Sequence, residues 1–461
     1  MPESVDSIFS RLVTAEPTTA KQVQFHTACV LGGSIAGLLA ARVLSDFAEH
    51  VVIIEHDDVS GLSSFRPGTP QADQLHILLP AGFAWMERWL TGFTNDVVAS
   101  GGLVGSASKT LMMFDGQRQA PMDRNPNNLC ATRSLVESCA RRAVLRLPNV
   151  SVLTARVTGL HYRGGAVDAV KYTRNGISGT IESGLTVDAM GRSSKLSDWL
   201  TRDGFESPSL ERLAVPINYA TARFERQTAA DLDFVCALAT YNPGRAVEGV
   251  SIAAATVIEN DQWIVSLIGY EPDRPGRTVD QFLAVSAKLP SWCRDIARGR
   301  RTSDVITYRQ MESRRRHFAH LRNFPARLVS VGDAVASFNP IYGQGMSSAA
   351  LHASCLASYL LGGAAHDAAA TDFFRLQDVV VDAAWGMSAG GDAVRLDAQN
   401  GTVVPDIVRQ QRWAVDNVRR ASLVDSAMAT VFREVSYMLR HPAALTDPAV
   451  IERAVAVNSS A

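Results

Sequence analysis

The sequence predicts an α/β protein, with a parallel-sheet domain, a second antiparallel β-sheet and a helical C-terminal region. Three observations carry that expectation. ACVLGGSIAGLLAARVLSDFAEHVVIIEHDD reads strand, glycine turn, apolar helix, strand; the texture between about Val215 and Tyr308 is β-rich; and the C-terminal residues carry apolar positions at helical spacing.

Taken in order, residues 1–26 read as a polar leader with a short helix around Val5–Val13, expected to lie loosely on the surface. Acids at positions 3 and 6 and the lack of an apolar core argue against a secretory signal. The first strand, after Thr27, is apolar without alternation, as a parallel strand covered on both faces must be. The strand Val51-Val52-Ile53-Ile54 ends on Glu55.

A loop rich in Gly, Pro and Ser follows over residues 60–72, then a helix carrying Phe83, Trp85, Met86 and Trp89-Leu90, and another from Thr132-Arg133-Ser134. Short strands return from Val150 to Leu160 and at Leu185–Asp188, the latter running into AMGRSS. The stretches VPINYATARFER, DFVCALATY, GVSIAAATVI and QWIVSLIGY read as strands of the antiparallel sheet. ARLVSVGDA then returns to a buried strand and a long helix to about Leu361. Val424, Met428, Val431, Val435 and Met438 form a stripe that His441-Pro442 stops, read as a cap docked on the protein's own core.

The expected organisation is therefore a leader over 1–26, a discontinuous nucleotide domain over 27–212 and 309–362, a β-rich substrate domain over 213–308 and a helical region over 363–461.

Composition removes several function classes. A chain of 461 residues with 45 basic and 46 acidic side chains has a formal charge of -1. No broad field favours nucleic acid or an anionic membrane. No apolar run is long enough to span a bilayer, so the expected location is cytoplasmic. Cys29, Cys130, Cys139, Cys236, Cys293 and Cys355 show no metal or redox spacing and read as small buried hydrophobes. No metal site is expected.

The chemistry-bearing motifs begin with Gly32-Gly33-Ser34-Ile35-Ala36-Gly37. The first glycine permits a tight turn, the middle position lets backbone approach a pyrophosphate, and the last lets the helix sit close to the strand. Ser34 stands where a glycine is usual. Glu55, at the end of the next strand, can accept ribose hydroxyls, and a carboxylate there suits an adenosine ribose without a 2′-phosphate. That favours FAD over NADP in a Rossmann-like domain.

In LVSVGDAVASFNPIYGQGMSSAA, Gly332-Asp333 ends a strand where a short carboxylate can bond a ribityl chain. Pro340 ends the loop, and Gly343-Gln344-Gly345 bares the first amides of a helix from Met346. Such an end favours negative charge, as on the pyrimidine edge of a reduced flavin.

GGSIAG…IIEHD, VDAMGRSSKLSDWL and LVSVGDAVASFNPIYGQGM, in this order, resemble the class A flavin monooxygenases, whose fold is that of para-hydroxybenzoate hydroxylase, from about Thr27 to Leu361. FRPGTPQADQLHILL and GDAVASFNPIYGQGM are similar to flavin epoxidases of polyether pathways and to flavoprotein [4+2] cyclases of spirotetronate and spirotetramate pathways.

The resemblance implies FAD held by Gly32, Gly33, Ser34, Ile35, Ala36 and Gly37 at the pyrophosphate and by Glu55 with His56 at the adenosine ribose. Arg66, Arg133, Val157, Asp188, Gly191, Asp333, Pro340, Gly343, Gln344, Gly345 and Met346 complete the cofactor set. Phe234, Trp263, Phe338 and Tyr342, with Tyr270, are expected to line a substrate chamber.

It further implies a monooxygenase, an epoxidase or hydroxylase of a large apolar polyketide-derived secondary metabolite in antibiotic biosynthesis. NADH or NADPH would serve as transient reductant and O2 would add at flavin C4a. The alternative is a [4+2] cyclase with FAD in a structural role. A homodimer is an open expectation.

Where the epoxidases read Pro-Gln-x-Arg-His-x-His, this chain has Pro70-Gln71-Ala72-Asp73-Gln74-Leu75-His76, so a carboxylate and an amide replace the arginine and the first histidine, either as drift in a loop or as the loss of groups that handle reduced flavin. A halogenase's W-x-W-x-I-P element is missing. No general base is assigned: His76, His317 and His320 read as structural, and Arg314-Arg315-Arg316-His317 as a solvated charge run rather than a nicotinamide-phosphate contact.

Overall fold

In the computed structural model, which describes residues 3–18, 21–59, 66–226, 232–363 and 365–460, the first element is helix α1 (Val5–Thr14). It is not a loose leader. Phe9 and Leu12 are fully buried in a helix that packs with the helices Gly345–Leu361 and Thr371–Asn400. The apolar side chains at 9 and 12 share one helix face, and the long C-terminal helices supply the surface that covers it.

Strand β1 (Phe25–Leu31), helix α2 (Ile35–Leu44) and strand β2 (Ala48–Glu55) form the expected βαβ unit. Helix α3 (Arg133–Leu145), β3 (Val150–Thr154), β4 (Leu185–Asp188), β5 (Ser209–Glu225), β6 (Gln262–Tyr270), β7 (Ile306–His317), β8 (Leu328–Ser330), α4 (Gly345–Leu361) and α5 (Thr371–Asn400) follow. Residues 60–65 of the expected loop, Phe65 included, lie outside the described residues.

The first sheet has the order β8-β4-β1-β2-β3, and every neighbouring pair is parallel. The order reverses at β1, so the crevice for a ligand lies beyond the carboxyl ends of β1 and its neighbours. Cys29, Val30 and Leu31 are wholly buried there, which explains a strand without alternation.

The second sheet has eight strands, in the order Ala336–Ser337, β7, β5, β6, Ile252–Ile258, Cys236–Thr240, Thr110–Phe114 and Gln117–Arg118. It differs from the expected antiparallel sheet in two ways. Residues 110–118 and 336–337 join it from outside the 213–308 span, the former through a parallel pairing of Cys236–Thr240 with Thr110–Phe114 and the latter antiparallel to β7. β5 also starts earlier and β7 ends later than that span. β5 passes a register shift between Ala214 and Ile217, where Pro216 has no N–H to give, and continues as one strand.

Alternation gives this sheet two unlike faces. Trp263, Val265 and Leu267 of β6 pack with Phe282, Trp292 and Cys293. Ile217, Tyr219, Ile252 and Ile268 point the other way, toward Tyr270, Tyr308 and Ile341.

Arg315 and Arg316 are not a solvated run. Arg315 pairs with Asp378 at 3.2 Å and with Asp382 at 2.5 Å, and Arg316 donates to the Ala334 carbonyl at 2.8 Å. They bind β7 to α5 and to the segment after β8, a surface that sequence spacing does not reveal.

After α5 come the helices Asp406–Ala421, Ser426–Ser436 and Pro448–Ser460. Met428, Val431 and Val435 bury against Val418, Ala421 and Ala454. Met438 joins the main core, and Val424, lying between helices, is 63% exposed. No helix among the described residues is long and apolar enough to cross a membrane. All six cysteines are free and buried.

Candidate dinucleotide site

Three glycine turns meet at the carboxyl ends of β1, β4 and β8. Gly32 has φ +108°, and a Cβ there would stand 2.5 Å from the Ala189 carbonyl oxygen beyond β4. Gly332, at φ +64°, faces the Cβ of Ala36 in the first turn of α2, 2.5 Å from where its own Cβ would be. Gly191, at φ +67°, lies under Asp333. Only glycine allows backbone this close in the left-handed region. Motifs far apart in the chain thus share one crevice.

Gly37 is tighter still: a Cβ there would overlap the Gly32 carbonyl oxygen. Helix α2 therefore starts hard against the turn, with Ser34 as N-cap, no capping side chain and no acid in its first turn. Its open end and partial positive charge are a receptor for an anion.

Ser34 Oγ donates to Glu137 at 2.6 Å and accepts from Arg133 Nη2 at 3.0 Å. Glu137 also binds Arg66 and, at 2.6 Å, Arg141. Burial opposes ionisation of Glu137, but Arg133, Arg66, Ser34 and Arg141 outweigh it and hold the carboxyl below the usual range.

Glu55, 4% exposed, accepts from the Gly33 amide at 2.8 Å, the Asp57 amide at 3.0 Å and Arg66 at 2.7 Å. Burial is again outweighed, here by the Asp57 amide, Arg66 and the Gly33 amide, and the pKa falls. His56 Nδ1 lies 3.0 Å from the other Glu55 oxygen. Val157 stands close by, two residues after Ala155, whose amide donates to the Glu55 carbonyl.

Asp188 turns inward. It accepts from Ser194 at 2.7 Å, the Met190 amide at 3.0 Å and Ser330 at 3.2 Å, tying β4 to β8. Asp333 stays at the crevice; burial pushes its pKa up, against the pull of Arg192 and Arg133.

Further along the chain from Gly332, Asn339 and Pro340 lead through Gly343, at φ +68°, into α4. Its N-cap Gln344 supplies no capping bond, and a Cβ on Gly345 would meet nothing within 4 Å. Met346 packs on the core behind. His352, further along α4, accepts the Gly332 amide at Nδ1, 2.9 Å away; burial lowers its pKa to about 3, so it remains a neutral acceptor. The residues present fit a dinucleotide: an uncapped helix end with Arg133 for a diphosphate, and a second uncapped helix end open to space for a ring.

Phe338 and Tyr342 border this loop. Phe338 packs on Trp385, and Tyr342 reaches Gly391 of α5 with its hydroxyl. Phe234 and Trp263 do not join them. Their rings meet at 5.7 Å beside Trp292 on the far face of the second sheet, because Trp263 and Tyr270 lie an odd number of residues apart on β6.

Gln74 is the residue facing the near side: 4% exposed, it accepts from Thr221 at 2.6 Å. Asp73 lies 3.7 Å from Arg223. His76 Nδ1 donates to the Gln74 carbonyl at 3.0 Å, and burial with Arg133 nearby lowers its pKa to about 4. Sequence reading missed Glu137, Arg141 and His352; Glu137 four residues after Arg133 and Arg141 four after Glu137, along one helix face, were the available signal.

The fold is that of class A FAD-dependent monooxygenases. Over 94% of this chain and 99% of that one, it matches p-nitrophenol 4-monooxygenase PnpA from Pseudomonas putida with a TM-score of 0.62 at 14% identity. It matches the flavin-dependent brominase Bmp2 over 95% of this chain and all of that one, with a TM-score of 0.58 at 15% identity. No family model matches the chain. In sequence it is 30% identical over 360 residues to Protein Rv3254 of Mycobacterium tuberculosis, covering 71% of this chain and 72% of that protein, and it belongs to the same family.

Proposed function

We propose that the protein is an FAD-dependent monooxygenase, an epoxidase or hydroxylase acting on a large apolar, polyketide-derived metabolite. The observation that carries this reading is the convergence of the Gly32, Gly191 and Gly332 turns, to the last of which α4 is tied through His352. The division into an FAD domain over 27–212 and 309–362 and a substrate domain over 213–308 belongs to the same proposal, the latter extended by the 110–118 strands.

Bound FAD would supply the electron transfer and oxygen activation. The amides at the start of α2 and Arg133 would hold its diphosphate, Glu55 its adenosine ribose and Asp333 its ribityl chain. The Gly345 end of α4 would stabilise negative charge on the ring's pyrimidine edge. Ile217, Ile252, Ile268 and Ile341 would keep water from the substrate side.

The second reading, a [4+2] cyclase with structural FAD, is favoured by Gln74. The neutral amide hydrogen-bonded to Thr221 leaves no imidazole or guanidinium at that point of the chamber. A halogenase reading lacks the W-x-W-x-I-P element.

The test is to mix the purified yellow protein with NADH or NADPH in air and follow the visible flavin band. Reduction and reoxidation support the oxygenase. A band unchanged with both nicotinamides and with candidate substrates favours the cyclase, and a colourless protein with no affinity for FAD overturns both.

A further inference from the structure

Arg395, near the C-terminal end of α5, is only 9% exposed. Its guanidinium carbon lies 3.8 Å from the centroid of the Tyr270 ring, and Nη1 donates to Gln399 at 2.9 Å. Nε and Nη2 are buried and have no hydrogen-bond partner among the described residues. Those two nitrogens form the edge with which a guanidinium grips a planar two-oxygen anion. Asp392, one turn earlier and 1% exposed, does not fill it; its carboxylate accepts from Asn339 at 2.9 and 3.1 Å and from Tyr270 at 3.2 Å.

A second unpartnered group belongs to the same chamber. The Tyr219 hydroxyl is buried and has no hydrogen-bond partner among the described residues, and burial with Tyr270, Tyr308 and Asp392 around it pushes its pKa well above the ordinary value, so it stays a neutral donor. The walls are Ile217, Ile252, Ile268 and Ile341. Buried donors among apolar groups are costly unless an acceptor meets them. Asn339 joins this cluster to the loop that precedes α4.

We propose that Arg395 recognises a carboxylate on an otherwise apolar substrate, taking its two oxygens on Nε and Nη2, with the Tyr219 hydroxyl as a further donor. This rests on the chamber of the proposed function and adds a charge requirement to it.

The test is calorimetric titration of the purified protein, carrying whatever flavin it retains, with decanoate and with decanamide. Decanoate is expected to bind roughly tenfold or more tightly than the amide, and Arg395→Gln to erase that preference while leaving decanamide unchanged. If Arg395→Gln binds decanoate as well as the parent, or if the parent does not distinguish the two probes, the proposal is overturned. Should Arg395→Gln fail to fold by circular dichroism, Tyr219→Phe decides instead: several-fold weaker decanoate with unchanged decanamide supports it, and no change overturns it. The flavin colour of the same sample reports separately on the cofactor reading.

Discussion

Gly37 and Glu137 show how single residues carry the crevice. A methyl group on Gly37 has to displace the Gly32 carbonyl, which is backbone and cannot swing aside. Gly37→Ala is expected to cost about 1–3 kcal/mol and to release flavin, read by urea unfolding and by the colour retained after gel filtration. Glu137 is the anion shared by Arg66, Arg133 and Arg141. Glu137→Gln leaves buried cations short of a partner and is expected to destabilise by about 3–5 kcal/mol. With a folded pKa below the ordinary 4.5, Glu137 stabilises fully above that value and loses its contribution as pH falls through the folded one. The gap between parent and variant in urea should therefore close in acid. Asp392 has the opposite sign. Burial raises its pKa from 3.8 to about 6, so its ionisation opposes folding increasingly as pH rises across that window. Asp392→Asn should flatten that fall, measured as melting temperature against pH. Glycine turns are legible in sequence because only glycine fits them. The arginine–carboxylate cluster is not, since Arg66 and Glu137 become neighbours only when the chain folds.

At the scale of elements, α1 and the C-terminal helices test how far periodicity can be trusted. The helix at Val5–Thr14 and the stripe through Met428, Val431 and Val435 follow from spacing alone. What each stripe touches does not. Phe9, fully buried beside α4 and α5, makes α1 part of the core, and Phe9→Ala is expected to cost about 3–5 kcal/mol in urea unfolding. An exposed leader would show a change near zero. The faces of β6 teach a similar lesson: alternation separates Trp263 from Tyr270, and a reading by residue type alone groups them together.

For the whole molecule, a ligand that spans the crevice from Ser34 to Gly345 must stabilise the folded chain by mass action. FAD at a hundred times its Kd is expected to add about 2.7 kcal/mol and raise the melting temperature, an effect that Gly37→Ala should reduce. The parallel sheet, the glycine segments at Gly32 and Gly332 and the helical C-terminal region are legible in the order of residues alone, because apolar period and left-handed backbone are local demands of the chain. Folding alone settles which face of the second sheet Tyr270 and Ile341 share, that residues 110–118 complete that sheet, and that Arg395 is buried with an edge unpartnered among the described residues. Those features arise from contacts between segments distant in sequence. Their burial and unmet hydrogen bonds have no local signature.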